Sequence, residues 1–308
     1  MTTRLYAHSA CLEHLTPPGH PERPDRLRAI EKVLAHDAFA ELERVEAPLA
    51  DESAILLAHT ERHLLRVKAA IPTDGLARLD ADTTVSPGSW EAALRAVGAA
   101  LAAVDDVFTG RARNAFVATR PPGHHAEKER AMGFCLFNNA AIAARHAQRT
   151  HGAERVAIID WDVHHGNGTQ DIFWDDPDVL YCSTHQMPLY PGSGAANETG
   201  AGNIVNVPLP PGANGDDFRE ALEESVLPRV EAFGPDFIII SAGFDAHHRD
   251  PLAELSFSEQ DFAWATDKLR ECAGSRAENR LVSLLEGGYD LEGLALSVAA
   301  HVGRLMKG

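Results

Sequence analysis

The stretch Phe237-Ile238-Ile239-Ile240-Ser241-Ala242 is apolar at nearly every position rather than at every second one. A strand with one face in water alternates apolar and polar residues, so a strand of this kind must be covered on both sides. Val156-Ala157-Ile158-Ile159 and Leu281-Val282-Ser283-Leu284-Leu285 share that character, and Asn114 to Thr119 and Val179 to Ser183 read as further short strands. Helical segments lie between them. Pro24 to about Leu42 is periodic and charged. Ser89 is placed to cap a long alanine-rich helix that stops at Gly110, and Asn138 to cap Ala140 to Thr150, closed by Gly152. Asp217 to Phe233 reads as a helix, Ser258 with Asp261 forms a capping box for the next, and a terminal helix follows Gly287-Gly288. Buried strands alternating with helices predict an α/β fold with a parallel sheet covered on both faces. No repeat, low-complexity segment or linker interrupts this pattern, so residues 1–308 are expected to form one domain.

The chain carries 45 acidic and 28 basic residues, a formal net charge of -17. That surface repels nucleic-acid backbone and suits a cationic substrate. No apolar run approaches the ~18 residues of a membrane span. Met1 to His8 lacks the apolar core of a signal peptide, so a cytoplasmic location is expected. Cys11, Cys135, Cys182 and Cys272 lie far apart with no C-x-x-C pair, which predicts isolated buried thiols.

The chemistry gathers where the strands stop. Val156 to Ile159 runs into Asp160-Trp161-Asp162-Val163-His164-His165-Gly166-Asn167-Gly168. In extended geometry residues two apart share a face, so Asp160, Asp162 and His164 are expected to aim the same way. Three such groups inside a protein are costly unless something binds them, and Asp oxygen with His nitrogen is an ordinary zinc donor set. Three other strands also run into polar or glycine-rich loops, carrying His124-His125, Asp245 and Tyr289. Ligands of open α/β sheets bind beyond the carboxyl ends of strands, so these residues are expected to meet. Asp162, His164 and Asp245 would supply three metal ligands and leave a position for water. His124 and His125 would act as general base and acid, oriented by Asp160 and Asn167 respectively. Tyr289 would donate its hydroxyl to a developing oxyanion. These parts describe metal-assisted hydrolysis of an amide or related carbonyl. The irregular stretches Ser9 to Glu22 and His185 to Asn203 are expected to form site loops. Glu22 and Arg23 read as surface or loop ion pairs of small energetic value, and His247-His248 as rim residues.

The motifs Arg-Pro-Pro-Gly-His-His (120 to 125), Gly-Phe-Cys-Leu-Phe-Asn-Asn (133 to 139), Asp-Trp-Asp-Val-His-His-Gly-Asn-Gly (160 to 168), Tyr-Pro-Gly-Ser-Gly (190 to 194), Ser-Ala-Gly-Phe-Asp-Ala-His (241 to 247) and Glu-Gly-Gly-Tyr (286 to 289) occur in this order. Together they resemble the zinc-dependent histone deacetylase family across nearly the whole chain. Asn167 and the short loop Pro-Gly-His-Pro-Glu-Arg-Pro (18 to 24) bring it closest to the bacterial class II members and the acetylpolyamine amidohydrolases. The resemblance implies the three-layer arginase–deacetylase fold with an eight-stranded, mainly parallel sheet. It implies one Zn2+ per chain and an acyl-lysine protein or peptide, or an acetylpolyamine, as substrate. It also implies a narrow tunnel lined by Gly133 and Phe134, with Tyr190 as a second wall and Gly288 beside it. Asp80 or Asp82 would contact the substrate at the rim. A structural K+ would be held by Asp160, Asp162, His164, Ser183 and Thr184, several through backbone carbonyls. Ureohydrolases share that fold but bridge two manganese ions with Asp-x-His-x-Asp, whereas this chain has Asp-x-Asp-x-His. A non-catalytic acyl-lysine-binding module would be expected to have lost a ligand, a histidine of the pair or the tyrosine, and all are present.

Overall fold

In the computed structural model, which describes residues 2–307, the strands are β1 (Thr3–Ala7), β2 (Glu43–Glu46), β3 (Ala77–Arg78), β4 (Thr84–Val85), β5 (Asn114–Val117), β6 (Val156–Asp160), β7 (Val179–Gln186), β8 (Ile204–Leu209), β9 (Phe237–Ala242) and β10 (Leu281–Leu285). The α-helices are α1 (Asp25–Leu34), α2 (Glu61–Ala70), α3 (Ser89–Phe108), α4 (Asn139–His151), α5 (Asn167–Phe173), α6 (Gly215–Ala221), α7 (Leu227–Phe233), α8 (Glu259–Arg276) and α9 (Leu291–Met306). Eight strands form one sheet in the order β2-β1-β5-β10-β9-β6-β7-β8. Every neighbouring pair in it is parallel. β3 and β4 make a separate antiparallel hairpin whose turn carries Asp80 and Asp82.

Each central strand feeds two cores. Val156, Ile158, Phe237, Ile239, Val282 and Leu284 face the core closed by α2 to α5. Their neighbours Ala157, Ile159, Ile238, Ile240, Leu281 and Leu285 face the core closed by α1 and α6 to α9. Two-sided burial is why these strands are apolar throughout. Among the described residues, no helix is long and apolar enough to cross a membrane.

The structure shifts several sequence boundaries. The helix expected from Pro24 to Leu42 ends at Leu34, because His36 accepts the Ala38 N–H and starts a separate 3-10 turn, Asp37–Phe39. Gly88, not Ser89, occupies the N-cap of α3; the Ser89 hydroxyl instead accepts the Ser86 N–H at 2.8 Å. The Asp217 to Phe233 helix is α6 and α7 joined through a π-helical turn, Leu222–Val226. Pro228, which has no N–H for the α-helical ladder, follows that turn. The capping residue Asn138 and the left-handed Gly152 bound α4 as the sequence predicts.

Glu22 is the largest correction. It is not at the surface but fully buried, with its carboxylate between Arg120 and Arg26. Arg120 Nη2 donates to Glu22 Oε2 at 2.6 Å and Arg26 Nη1 to Oε1 at 3.2 Å. Burial by itself would raise the Glu22 carboxyl, but Arg120 outweighs it and holds the value at about 2. A carboxylate held below its ordinary value stabilises the fold above that value and loses the contribution as pH falls towards about 2. Arg23 does lie outside, against Asp25. Glu22→Gln leaves two buried guanidinium groups short of a counter-charge, so it is expected to cost about 3–5 kcal/mol in denaturant unfolding.

Candidate active site

Four adjacent strands at the middle of the sheet, β5, β10, β9 and β6, deliver the predicted residues from their carboxyl ends. β5 leads to His124 and His125, β10 to Tyr289, β9 to Asp245, and β6 to Asp162 and His164. The sheet thus brings into one crevice residues more than 160 positions apart.

Asp162, His164 and Asp245 are buried, and one ligand atom from each lies within 4.8 Å of the others. His164 Nδ1 is 3.1 Å from Asp162 Oδ1 and 3.1 Å from Asp245 Oδ2. The route to this arrangement differs from the extended one expected. β6 ends at Asp160, and the chain turns there. Asp160 Oδ1 accepts the Asp162 N–H at 3.1 Å, and Asp162 Oδ1 accepts the His164 N–H at 2.9 Å. These two side-chain-closed turns carry Asp162 and His164 towards Asp245. They leave the other oxygen of Asp160 to face His124 and the Tyr181 hydroxyl, each at 3.0 Å. The outer oxygens of the triad are held by backbone: Gly287 N–H donates to Asp162 Oδ2 at 2.8 Å and Val163 N–H to Asp245 Oδ1 at 2.9 Å. Gly287 has to be glycine, since a Cβ there would overlap the carboxylate oxygens of Asp245 and Asp162.

The electrostatics fit a bound cation. Burial and then the neighbouring Asp162 push Asp245 up to about 7. Burial opposes a charge on His164, but hydrogen bonds to Asp162 and Asp245 raise it to about 10. Two carboxylates and one imidazole converging away from water form a donor set that a divalent ion neutralises, with nitrogen and oxygen ligands suited to zinc.

The two imidazoles of the pair have opposite characters. Burial disfavours a charge on His124, but Asp162 and Asp160 outweigh it and raise the group well above its ordinary value. His125 Nδ1 lies 2.8 Å from Asn167 Oδ1, a neutral acceptor. Burial, then His124 and His164, hold His125 well below its ordinary value. Since Asn167 Oδ1 can only accept, His125 donates from Nδ1 and keeps Nε2 free of a proton. The ring centroids of the pair are 4.0 Å apart.

Aromatic rings surround the pair. Tyr190 lies edge-on to His125 at 5.2 Å and is exposed on its other side. Phe134 sits edge-on to Tyr289 at 5.9 Å. Burial and then Asp245 raise Tyr289 well above its ordinary value, so its hydroxyl stays a donor. Gly133 and Phe134 both take left-handed backbone, at φ 56° and 67°. A Cβ on Gly133 would enter the His125 ring. Gly133→Ala is therefore expected to displace that ring and lower kcat by about 10²-fold, checked by steady-state kinetics on a correctly folded variant. Of the two rim aspartates, Asp82 accepts the Gly133 N–H at 3.1 Å, whereas Asp80 closes the hairpin turn by accepting from Asp82 and Thr83. Asp82 is thus the one tied to Gly133.

Ser183 pairs in register with Asp160 across β6 and β7. Beside it, the Thr184 hydroxyl is buried without a hydrogen-bond partner. That orphan oxygen lies on β7, one residue beyond the partner of Asp160.

Three supports carried no assigned role in the sequence. Glu286 is buried and accepts the N–H groups of Gly123 and His124 at 2.7 and 3.1 Å, fixing the backbone ahead of the pair. Burial raises it to about 7, with His124 opposing. Arg26 donates to the Glu286 and Gly288 carbonyls and places its guanidinium 5.0 Å from the Tyr289 ring centre. Asp250 accepts the Tyr289 N–H at 2.7 Å. An arginine four residues after a glutamate was the available signal for Arg26; Asp250 offered none. His247 departs from the rim placement: it is buried, 3.6 Å from Glu259, while His248 is exposed.

Residues 20–305 match the family model described as the histone deacetylase domain. The chain is 45% identical over 292 residues to an uncharacterized protein of Synechocystis, slr0245, covering 93% of this chain and 94% of that one. It is 40% identical over 300 residues to a probable deacetylase of Archaeoglobus fulgidus, covering 95% and 83%. It is 42% identical over 277 residues to the histone deacetylase-like amidohydrolase of Pseudomonas aeruginosa, covering 88% and 73%. The solved structure of the HDA15 HD domain superposes with a TM-score of 0.94 at 39% identity, covering 99% of this chain and 89% of that one. The eight-stranded parallel sheet is accordingly that of the arginase–deacetylase fold. With the match running from His20 to Leu305, the chain belongs to the histone deacetylase family.

Proposed function

We propose that this protein is a zinc-dependent amidohydrolase that removes acetyl or another short acyl group from a lysine or polyamine nitrogen. The observation that carries this reading is the convergence of Asp162, His164 and Asp245 beside an imidazole pair split between a charged and a neutral member. A zinc ion held by those three residues would polarise the scissile carbonyl and acidify a water molecule. His125 Nε2, left unprotonated by the bond to Asn167, is placed to take the proton of the attacking water. His124, charged beside Asp160 and Asp162, favours the negative charge that develops. The imidazole pair then returns a proton to the departing amine. Tyr289 donates its hydroxyl to the carbonyl oxygen as that oxygen becomes an anion. Gly133, Phe134 and Tyr190 enclose the substrate's methylene stem, with Gly288 beside it and Asp82 near the mouth to attract an amine. K+ at Asp160, Asp162, His164, Ser183 and Thr184 would be structural.

The test is a panel of acetyl-lysine peptides, acetylated polyamines and longer acyl-lysines, run with chelator and after zinc is restored. Turnover of at least one class, lost with chelator and recovered with zinc, is expected. No turnover on any of them by zinc-replete enzyme overturns the proposal.

A further inference from the structure

We propose that Asp105, His146 and His151 bind a second divalent transition-metal ion at the opposite end of the sheet from the active site. Asp105 Oδ1 lies 2.7 Å from His146 Nε2 and 2.7 Å from His151 Nε2. One ligand atom from each residue lies within 4.8 Å of the others, and all three are partly exposed, so an ion has access. Two imidazoles and a carboxylate make a donor set for Zn2+, Co2+ or Ni2+, with water completing the coordination.

The surroundings favour a cation over a simple hydrogen-bonded cluster. His146 Nδ1 lies 3.1 Å from the Thr150 hydroxyl. That oxygen can accept Nδ1–H, which frees the Nε2 lone pair, as metal-bound imidazoles require. His151 is stacked on Phe108 with a 4.8 Å centroid separation, which fixes its ring plane. Asp105 and Phe108 are in the last turn of α3, and His151 is the last residue of α4. Two helix carboxyl ends, each carrying partial negative charge, therefore converge on the cluster. The Arg280 guanidinium lies over the Phe108 ring and is paired with Glu278.

The location separates this ion from catalysis. α3 and α4 lead into β5 and β6, so their ends lie at the amino edge of the sheet, and Phe108 also touches Phe237 at the start of β9. The catalytic loops leave the carboxyl edge, a strand length of about 16 Å away. The bound ion would clamp the end of α3 to the end of α4.

Equilibrium dialysis of the whole chain against micromolar Zn2+ tests this. Wild type is expected to take up two equivalents. His151→Ala and Asp105→Asn should each take up one, with far-UV circular dichroism unchanged and acyl-substrate turnover within about two-fold of wild type. Asp245→Asn should keep one equivalent. The cobalt-loaded Asp245→Asn protein should show visible d–d absorption that His151→Ala removes from the double variant. Two equivalents retained by both Asp105→Asn and His151→Ala, or a single wild-type equivalent that Asp245→Asn abolishes, would overturn the proposal. Asp105→Asn preserves side-chain size and remains informative if His151→Ala fails to fold.

Discussion

Asp245→Asn is expected to lower kcat/KM by at least about 10³-fold and to empty the catalytic metal site. Asp245 Oδ2 faces His164 Nδ1 at 3.1 Å, while Oδ1 is held by the Val163 N–H. The substitution keeps the side chain's shape but removes one of two negative charges gathered round a single point. A divalent ion then loses an anionic ligand and one of the two carboxylate charges that attract it. Lewis-acid stabilisation is worth several kcal/mol, and about 4 kcal/mol corresponds to that rate loss. Metal analysis beside kinetics decides the matter: normal turnover with no loss of zinc relative to wild type would rule out Asp245 as a ligand.

His125→Ala should lower kcat by about 10²–10⁴-fold with the metal retained, because a positioned general base contributes that range. The sign of the pH dependence follows from the pair's geometry. His125 is held below its ordinary value by burial and by His124 and His164, so it is an unprotonated base at neutral pH. Wild-type activity is present above that depressed value and falls as pH drops through it. Asn167→Asp exchanges a neutral acceptor, 2.8 Å from Nδ1, for a carboxylate. A carboxylate stabilises the imidazolium, so the acid limb of the kcat/KM profile should move to higher pH. An acid limb that stays in place would show that His125 is not the titrating base.

Much of this site could be read from the sequence because the chemistry sits where strand runs stop. The apolar runs at 156–159 and 237–242 identify β6 and β9 by composition, and Asp162, His164 and Asp245 follow within a few residues. The pairing of His124 with Asp160 and of His125 with Asn167 is visible as a spatial arrangement because all four flank such strand ends. What the sequence hid was compensation. Glu22 looks like any charged loop residue until Arg120, brought in from the end of β5, and Arg26 enclose it. Local periodicity carries no record of a partner about a hundred positions away. Asp160 misled in another way: its own side chain closes the turn that ends the extended geometry from which its direction was inferred.

The central place of β10 has a consequence for synthesis. Of the eight strands it is the last in chain order, yet it lies between β5 and β9 in the finished sheet. A nascent chain that stops short of residue 281 has Asp162, His164 and Asp245 but no strand to join the flank bearing the imidazole pair to the flank bearing those three residues. Catalytic competence therefore arrives in one late step, when the final strand inserts and brings Glu286, Gly287 and Tyr289 with it. Until then Asp162 lacks the Gly287 N–H that holds its outer oxygen.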